Sequence, residues 1–80
     1  MDLTTAVQKR IHELCNQRNI TINKLATICG ITQSTLSNIF LRENAKPTVS
    51  TIKKICDGLE ITLSDFFSAD YFNSLEQEIK

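Results

Sequence analysis

The sequence has no tryptophan, one tyrosine and four phenylalanines, so its core is expected to be aliphatic. Two glycines and one proline are too few for a chain of hairpins or disordered linkers, and favour helices with short joints. No stretch approaches the ~20 consecutive apolar residues of a membrane span. The opening MDLTTAVQKR has no apolar run ahead of a small-residue cleavage site. A cytoplasmic protein without membrane contact is therefore expected. The single histidine, His12, has no partner at ligand spacing and reads as a surface or boundary residue of the first helix. The three cysteines, Cys15, Cys29 and Cys56, are odd in number and form no C-x-x-C pair. Each adjoins apolar residues at helical spacing, which marks a small buried hydrophobe rather than a metal or redox site. There is no glycine-rich phosphate loop, and no nucleophile stands near a base. Enzymatic activity, a cofactor and a small-molecule ligand are thus not expected.

Charge is also missing on average, and the average hides a split. Residues 1–54 carry eight Lys/Arg against Asp2, Glu13 and Glu43, a net of +5, while residues 55–80 carry Lys80 against six acids, a net of −5. A basic front and an acidic back would draw phosphate to one side and orient the approach.

What the chain does have is one local pattern repeated four times: Ile20-Thr21 followed by Leu25, Ile31-Thr32 by Leu36, Pro47-Thr48 by Ile52, and Ile61-Thr62 by Phe66. In each, the threonine hydroxyl suits an N-cap, accepting from a first-turn amide. The residue before it suits a hydrophobic staple against the fourth helical position. Thr62 with Asp65 adds a pair like a capping box. These starts predict helices over 22–29, 33–41, 49–59 and 63–67, after a first helix over 3–18 with Leu3, Val7, Ile11, Leu14 and Cys15 on one stripe. The second helix should turn Leu25, Ala26, Ile28 and Cys29 inward, and the fourth Val49, Ile52, Ile55, Cys56 and Leu59. Apolar residues at Tyr71, Phe72, Leu75 and Ile79 predict a C-terminal amphipathic helix over 69–80, capped by Ser68 or Asp70. The expected organisation is an all-α domain over 1–68 followed by that helix.

The informative segment is ITINKLATICGITQSTLSNIFL. Two helices crossing steeply need a small residue where their backbones approach, and Ala26 stands there. The sharp turn between them needs a residue tolerant of positive φ, and Gly30 lies four positions on. Leu36 and Ile39 anchor the second helix inward. Gln33, Ser34, Ser37 and Asn38 are left outward, uncharged where a merely soluble face would carry Lys and Glu. Asn and Gln bond adenine in the major groove through both donor and acceptor.

On these residues the chain resembles the phage Cro/repressor-type (XRE-like) helix-turn-helix family over about Thr5 to Phe67, with Ala26, Gly30, Leu36 and Ile39 in the motif's structural positions. The resemblance implies a five-helix lambda-repressor-like domain that binds double-stranded DNA and regulates transcription, as a repressor. It implies base contacts from Gln33, Ser34, Ser37 and Asn38. Phosphate contacts fall to Thr21, Asn23, Lys24, Thr32 and Thr35, and to Arg42, Asn44 and Lys46 in the following loop. Three positions depart from the family pattern. Ile22 opens the second helix where a polar residue is usual, Arg42 replaces a glycine after the reading helix, and Glu60 replaces one after the fourth helix. Glu60 is accordingly expected to adopt a left-handed conformation. Tyr71, Phe72, Leu75 and Ile79 form a candidate dimer interface, suited to a homodimer on a roughly palindromic site. The alternative is an antitoxin-like interaction module whose C-terminal helix binds a partner protein.

Overall fold

The computed structural model describes residues 1–41 and 47–79. Among them the elements are α1 (Leu3–Arg18), α2 (Ile22–Cys29), α3 (Gln33–Leu41), α4 (Val49–Leu59), α5 (Leu63–Phe66) and a 3-10 helix over Asp70–Ser74, with no strand. The fold is all-α, as the four threonine signals require.

Each signal acts as its chemistry demands. Thr21, Thr48 and Thr62 stand in extended conformation and accept from the amides of Lys24, Thr51 and Asp65. Thr32 accepts from the Thr35 amide at 3.1 Å. Asp65 returns the bond to the Thr62 amide, completing a capping box. Asp2 caps α1 by accepting from the Thr5 amide at 2.8 Å.

Three joints share one construction. Asn19, Gly30 and Glu60 are left-handed, with φ of 58°, 67° and 57°. The isoleucine after each donates its amide back to the preceding helix: Ile20 to Cys15 at 3.0 Å, Ile31 to Ala26 at 3.2 Å and Ile61 to Cys56 at 2.9 Å. This is the six-to-one closure of a Schellman motif. The next residue is the threonine that caps the following helix, so a left-handed residue, an isoleucine and a threonine end one helix and begin another. All three isoleucines pack against the core. At Gly30 an added Cβ would meet nothing within 4 Å, so glycine is required there by φ and not by space.

Glu60 performs the same backbone turn with a side chain. Left-handed backbone costs a side-chain-bearing residue about 1–2 kcal/mol, whereas glycine's greater unfolded freedom costs about 0.5–1 kcal/mol. Glu60→Gly is therefore expected to raise stability by about 0.5–1 kcal/mol. Urea denaturation measures it, and an unchanged or lower midpoint contradicts the strain argument.

The core joins Val7, Ile11, Leu14 and Cys15 of α1 to Leu25 and Ala26 of α2, Leu36 and Ile39 of α3, and Ile52, Ile55, Cys56 and Leu59 of α4. It is not purely aliphatic: Phe66 is its largest fully buried side chain, with Phe67 and Phe72 rings 5.0 and 6.2 Å away. The four-residue α5 is held by more than Phe66. Arg10 of α1 donates from Nε to the Phe66 carbonyl at 2.7 Å and from Nη2 to the Asp65 carbonyl at 2.8 Å. A guanidinium thereby adds donors to the carbonyls at the end of this short helix. The cysteines are free thiols, and burial pushes Cys29 up to about 11. A thiol so protonated is a poor nucleophile at neutral pH, in keeping with a packing role.

Three residues expected to point inward do not. Leu3 and Val49 are the first residues of α1 and α4 and both are exposed, Val49 to 68%. Ile28 lies about 110° around α2 from the direction shared by Ile22, Leu25, Ala26 and Cys29, by the 100° turn per residue of an α-helix, and is also exposed.

The C-terminal segment differs from the expected helix over 69–80. It forms the five-residue 3-10 helix, without a side-chain cap, and Leu75 is extended. Ser68, one expected cap, instead donates its hydroxyl to the Asp65 carbonyl at 2.8 Å. At twelve residues the segment lies at the lower edge of the ~12–15 residues below which an isolated helix is marginal, so tertiary contacts decide its shape. Those contacts are local anchors. The Tyr71 hydroxyl bonds Glu13 while Lys9 lies 4.5 Å over its ring, Phe72 meets Phe67 edge-to-face with ring centres 5.0 Å apart, and the Glu76 amide donates to the Met1 carbonyl at 3.1 Å. Burial and the Glu13 bond push the Tyr71 phenol above its usual range.

Candidate nucleic-acid interface

The two helices of the motif meet at the Gly30 joint, with Ala26 buried at 2% exposure and Leu36 and Ile39 drawn into the core. With that side of α3 fixed, the rest follows from helical phase. Gln33, Ser34 and Asn38 are exposed and Ser37 is half-buried at the edge of the same face. No Lys, Arg, Asp or Glu interrupts α3. Toward solvent this face presents two amides and two hydroxyls, each able to donate and to accept, with the exposed Leu41 at its end.

The end of α3 is held from α1. Gln8 Nε2 donates to the Ile39 carbonyl, and the His12 ring lies 4.8 Å from that of Phe40. These contacts restrain the last turn of the helix. Gln8 and His12, four residues apart, share one side of α1. Only the docking of α1 against α3, absent from either local pattern, shows what they touch.

The starts of α2 and α3 carry Thr21, Asn23 and Lys24, and Thr32 and Thr35, all exposed. The Thr21 hydroxyl oxygen accepts from the Lys24 amide at 3.1 Å, a bond that leaves its own proton for an outside acceptor. The Thr32 and Thr35 hydroxyls pair at 2.8 Å, which uses one of their two protons and leaves the other. Beside them are first-turn amides with no acceptor inside the helix. Donors facing outward at a helix N-terminus suit an anionic oxygen. Ile22, which opens α2, packs against the core and contributes no polar contact. Arg42, Asn44 and Lys46 lie outside the described residues.

The basic front half is less available than its net charge suggests. Arg10 is committed to α5 and lies 3.8 Å from Glu13, Lys53 pairs with Asp57, and Lys9 covers Tyr71. Lys24, on the first turn of α2, stands one residue from Asn23 and three from the Thr21 cap.

The profile of the Cro/C1-type helix-turn-helix DNA-binding domain matches residues 10–70. The chain belongs to this family. It is a DNA-binding domain of the kind found in transcriptional regulators. The chain is 29% identical over 73 residues to an uncharacterized helix-turn-helix-type transcriptional regulator of Bacillus subtilis strain 168, RghRB, covering 90% of this chain and 52% of that protein. It is 32% identical over 60 residues to the regulator PuuR of Escherichia coli K12, covering 75% of this chain and 32% of PuuR. The chain thus spans about half the length of RghRB and a third of PuuR. A prophage-derived regulator of Bacillus subtilis, YopS, is 33% identical over 57 residues, 71% of this chain and 77% of YopS. Among solved structures, the crystal structure of the prophage Lp1 protein 11 superposes with a TM-score of 0.82 at 38% identity, covering 91% of this chain and 97% of that one.

Proposed function

We propose that this Cro/C1-type domain is a sequence-specific regulator of transcription, acting as a repressor with α3 in the major groove of double-stranded DNA. Gln33, Ser34, Ser37 and Asn38 face base edges. Thr21, Asn23, Lys24, Thr32 and Thr35 face phosphates, joined by Arg42, Asn44 and Lys46 of the loop. The observation that carries this reading is the uncharged amide and hydroxyl face of α3, exposed on a helix whose opposite side is locked by Leu36 and Ile39. Two copies on a roughly palindromic site would set their reading helices about 34 Å apart. The tail's role in such a dimer is narrower than the apolar spacing suggests. Tyr71 and Phe72 are turned onto their own domain, while Ile79 is 87% exposed and available to a second copy. A partner-binding C-terminal helix, as in an antitoxin-like module, has no counterpart in the 3-10 segment.

Selection of bound sites from random duplex DNA at two salt concentrations tests the reading. A defined and roughly symmetric site is expected, with log affinity falling linearly in log salt in proportion to the phosphates neutralised. Recovery of no preferred sequence contradicts base reading by α3.

A further inference from the structure

Leu41 is 80% exposed and is the last residue of α3. It follows Ser34 by seven positions, so at 100° per residue it returns to within about 20° of the same direction. That direction is opposite the side buried by Leu36 and Ile39. The outermost line of the reading helix therefore runs from a small hydroxyl at its start to a bare isobutyl group at its end, with Asn38 and Ser37 on either side. An exposed leucine on an otherwise polar face needs an apolar partner to be withdrawn from water. In the major groove one such surface exists on a base, the C5-methyl group of thymine. The nine residues of α3 span about 13 Å, comparable with the ~12 Å width of the groove, so both ends of this line fall within its reach.

We propose that Leu41 is a specificity-determining residue that selects thymine through its methyl group, at the edge of the site away from the base pairs faced by Gln33 and Ser34. The inference rests on the base-reading role of α3. Amides and hydroxyls distinguish bases by donor and acceptor pattern, and they tolerate uracil in place of thymine because that exchange leaves every hydrogen-bonding group unchanged. A contact to the methyl alone is abolished by it.

The test uses the selected duplex with each thymine replaced singly by deoxyuridine, bound by the wild-type chain and by Leu41→Ala, with far-UV circular dichroism confirming that the variant is folded. One replacement near the edge of a half-site is expected to weaken wild-type binding about four-fold, the worth of one methyl group withdrawn from water. The same replacement should leave Leu41→Ala binding unchanged. Uracil insensitivity of the wild-type chain at every position overturns the proposal while base reading by α3 stands. Equal weakening of both proteins also overturns it, because the methyl is then read by another residue. If Leu41→Ala instead loses affinity for all sequences alike and shifts sedimentation toward a monomer, Leu41 contacts a second copy and the proposal fails. Failure to select any site removes the reading on which it rests.

Discussion

Gly58→Ala is expected to destabilise the domain by about 2 kcal/mol, although alanine is the better helix former by about 1 kcal/mol. Gly58 lies within α4, where glycine is otherwise a weakness. A Cβ built on it would stand 2.5 Å from the Cys29 Sγ and 2.9 Å from the Cys29 Cα. The sulfur is the tip of a short side chain that already sits 3.7 Å from the Ile55 carbonyl, and the Cα is backbone, so neither yields without moving α2. Gly58 thus lets α2 and α4 approach at backbone distance. Overpacking of this kind costs about 1–3 kcal/mol or somewhat more, and the helix-propensity gain offsets only part of it. At roughly 4–8 °C per kcal/mol for a domain of this size, Tm should fall by about 8–16 °C. Cys29→Ala in the same chain should restore part of the loss, because it removes the sulfur contact and leaves the backbone one. A midpoint at or above that of the parent in thermal or urea unfolding shows that the helices separate without cost.

Gly58 also marks where sequence reading stops. The helix starts were legible because each is local: a threonine, the isoleucine or proline before it and the apolar residue five positions after that are enough to define a cap and a staple. The positive φ of Glu60 was legible from the family resemblance, in which a glycine usually stands at that position. What required the fold was contact between residues distant in the chain. Arg10 looks like one more solvated cation of α1 until Phe66 and Asp65 arrive beside it. Gly58 looks like a flaw in α4 until Cys29 is packed on it. The 69–80 segment has the right spacing for a helix, but its aromatic rings find partners on Phe66, Phe67 and Lys9 that a 3-10 turn serves. Leu41 closes α3 as one more apolar residue, and only its phase relative to the inward Leu36 and Ile39 puts it on the other side.

In Gln33→Ala with Asn38→Ala, sequence-specific affinity is expected to fall by about 2–6 kcal/mol, the sum of two contacts worth about 1–3 kcal/mol each. The loss belongs to DNA and not to folding. Both side chains are exposed, neither belongs to the core, and alanine is at least as good a helix former at either position. The urea midpoint of the double variant should therefore match or exceed that of the parent. Affinity for non-specific DNA and its salt dependence should also be retained, since neither residue carries charge. Lys24→Ala is the contrasting control. Removing a phosphate-facing cation should weaken binding to all sequences alike and lower the salt slope by about 1. If the double variant keeps its preference for the selected site, α3 is not the reader. If it loses specific and non-specific affinity equally, the two amides hold the backbone instead of the bases. A selective loss of the specific site, with the fold and salt slope intact, is the result that the uncharged face of α3 requires.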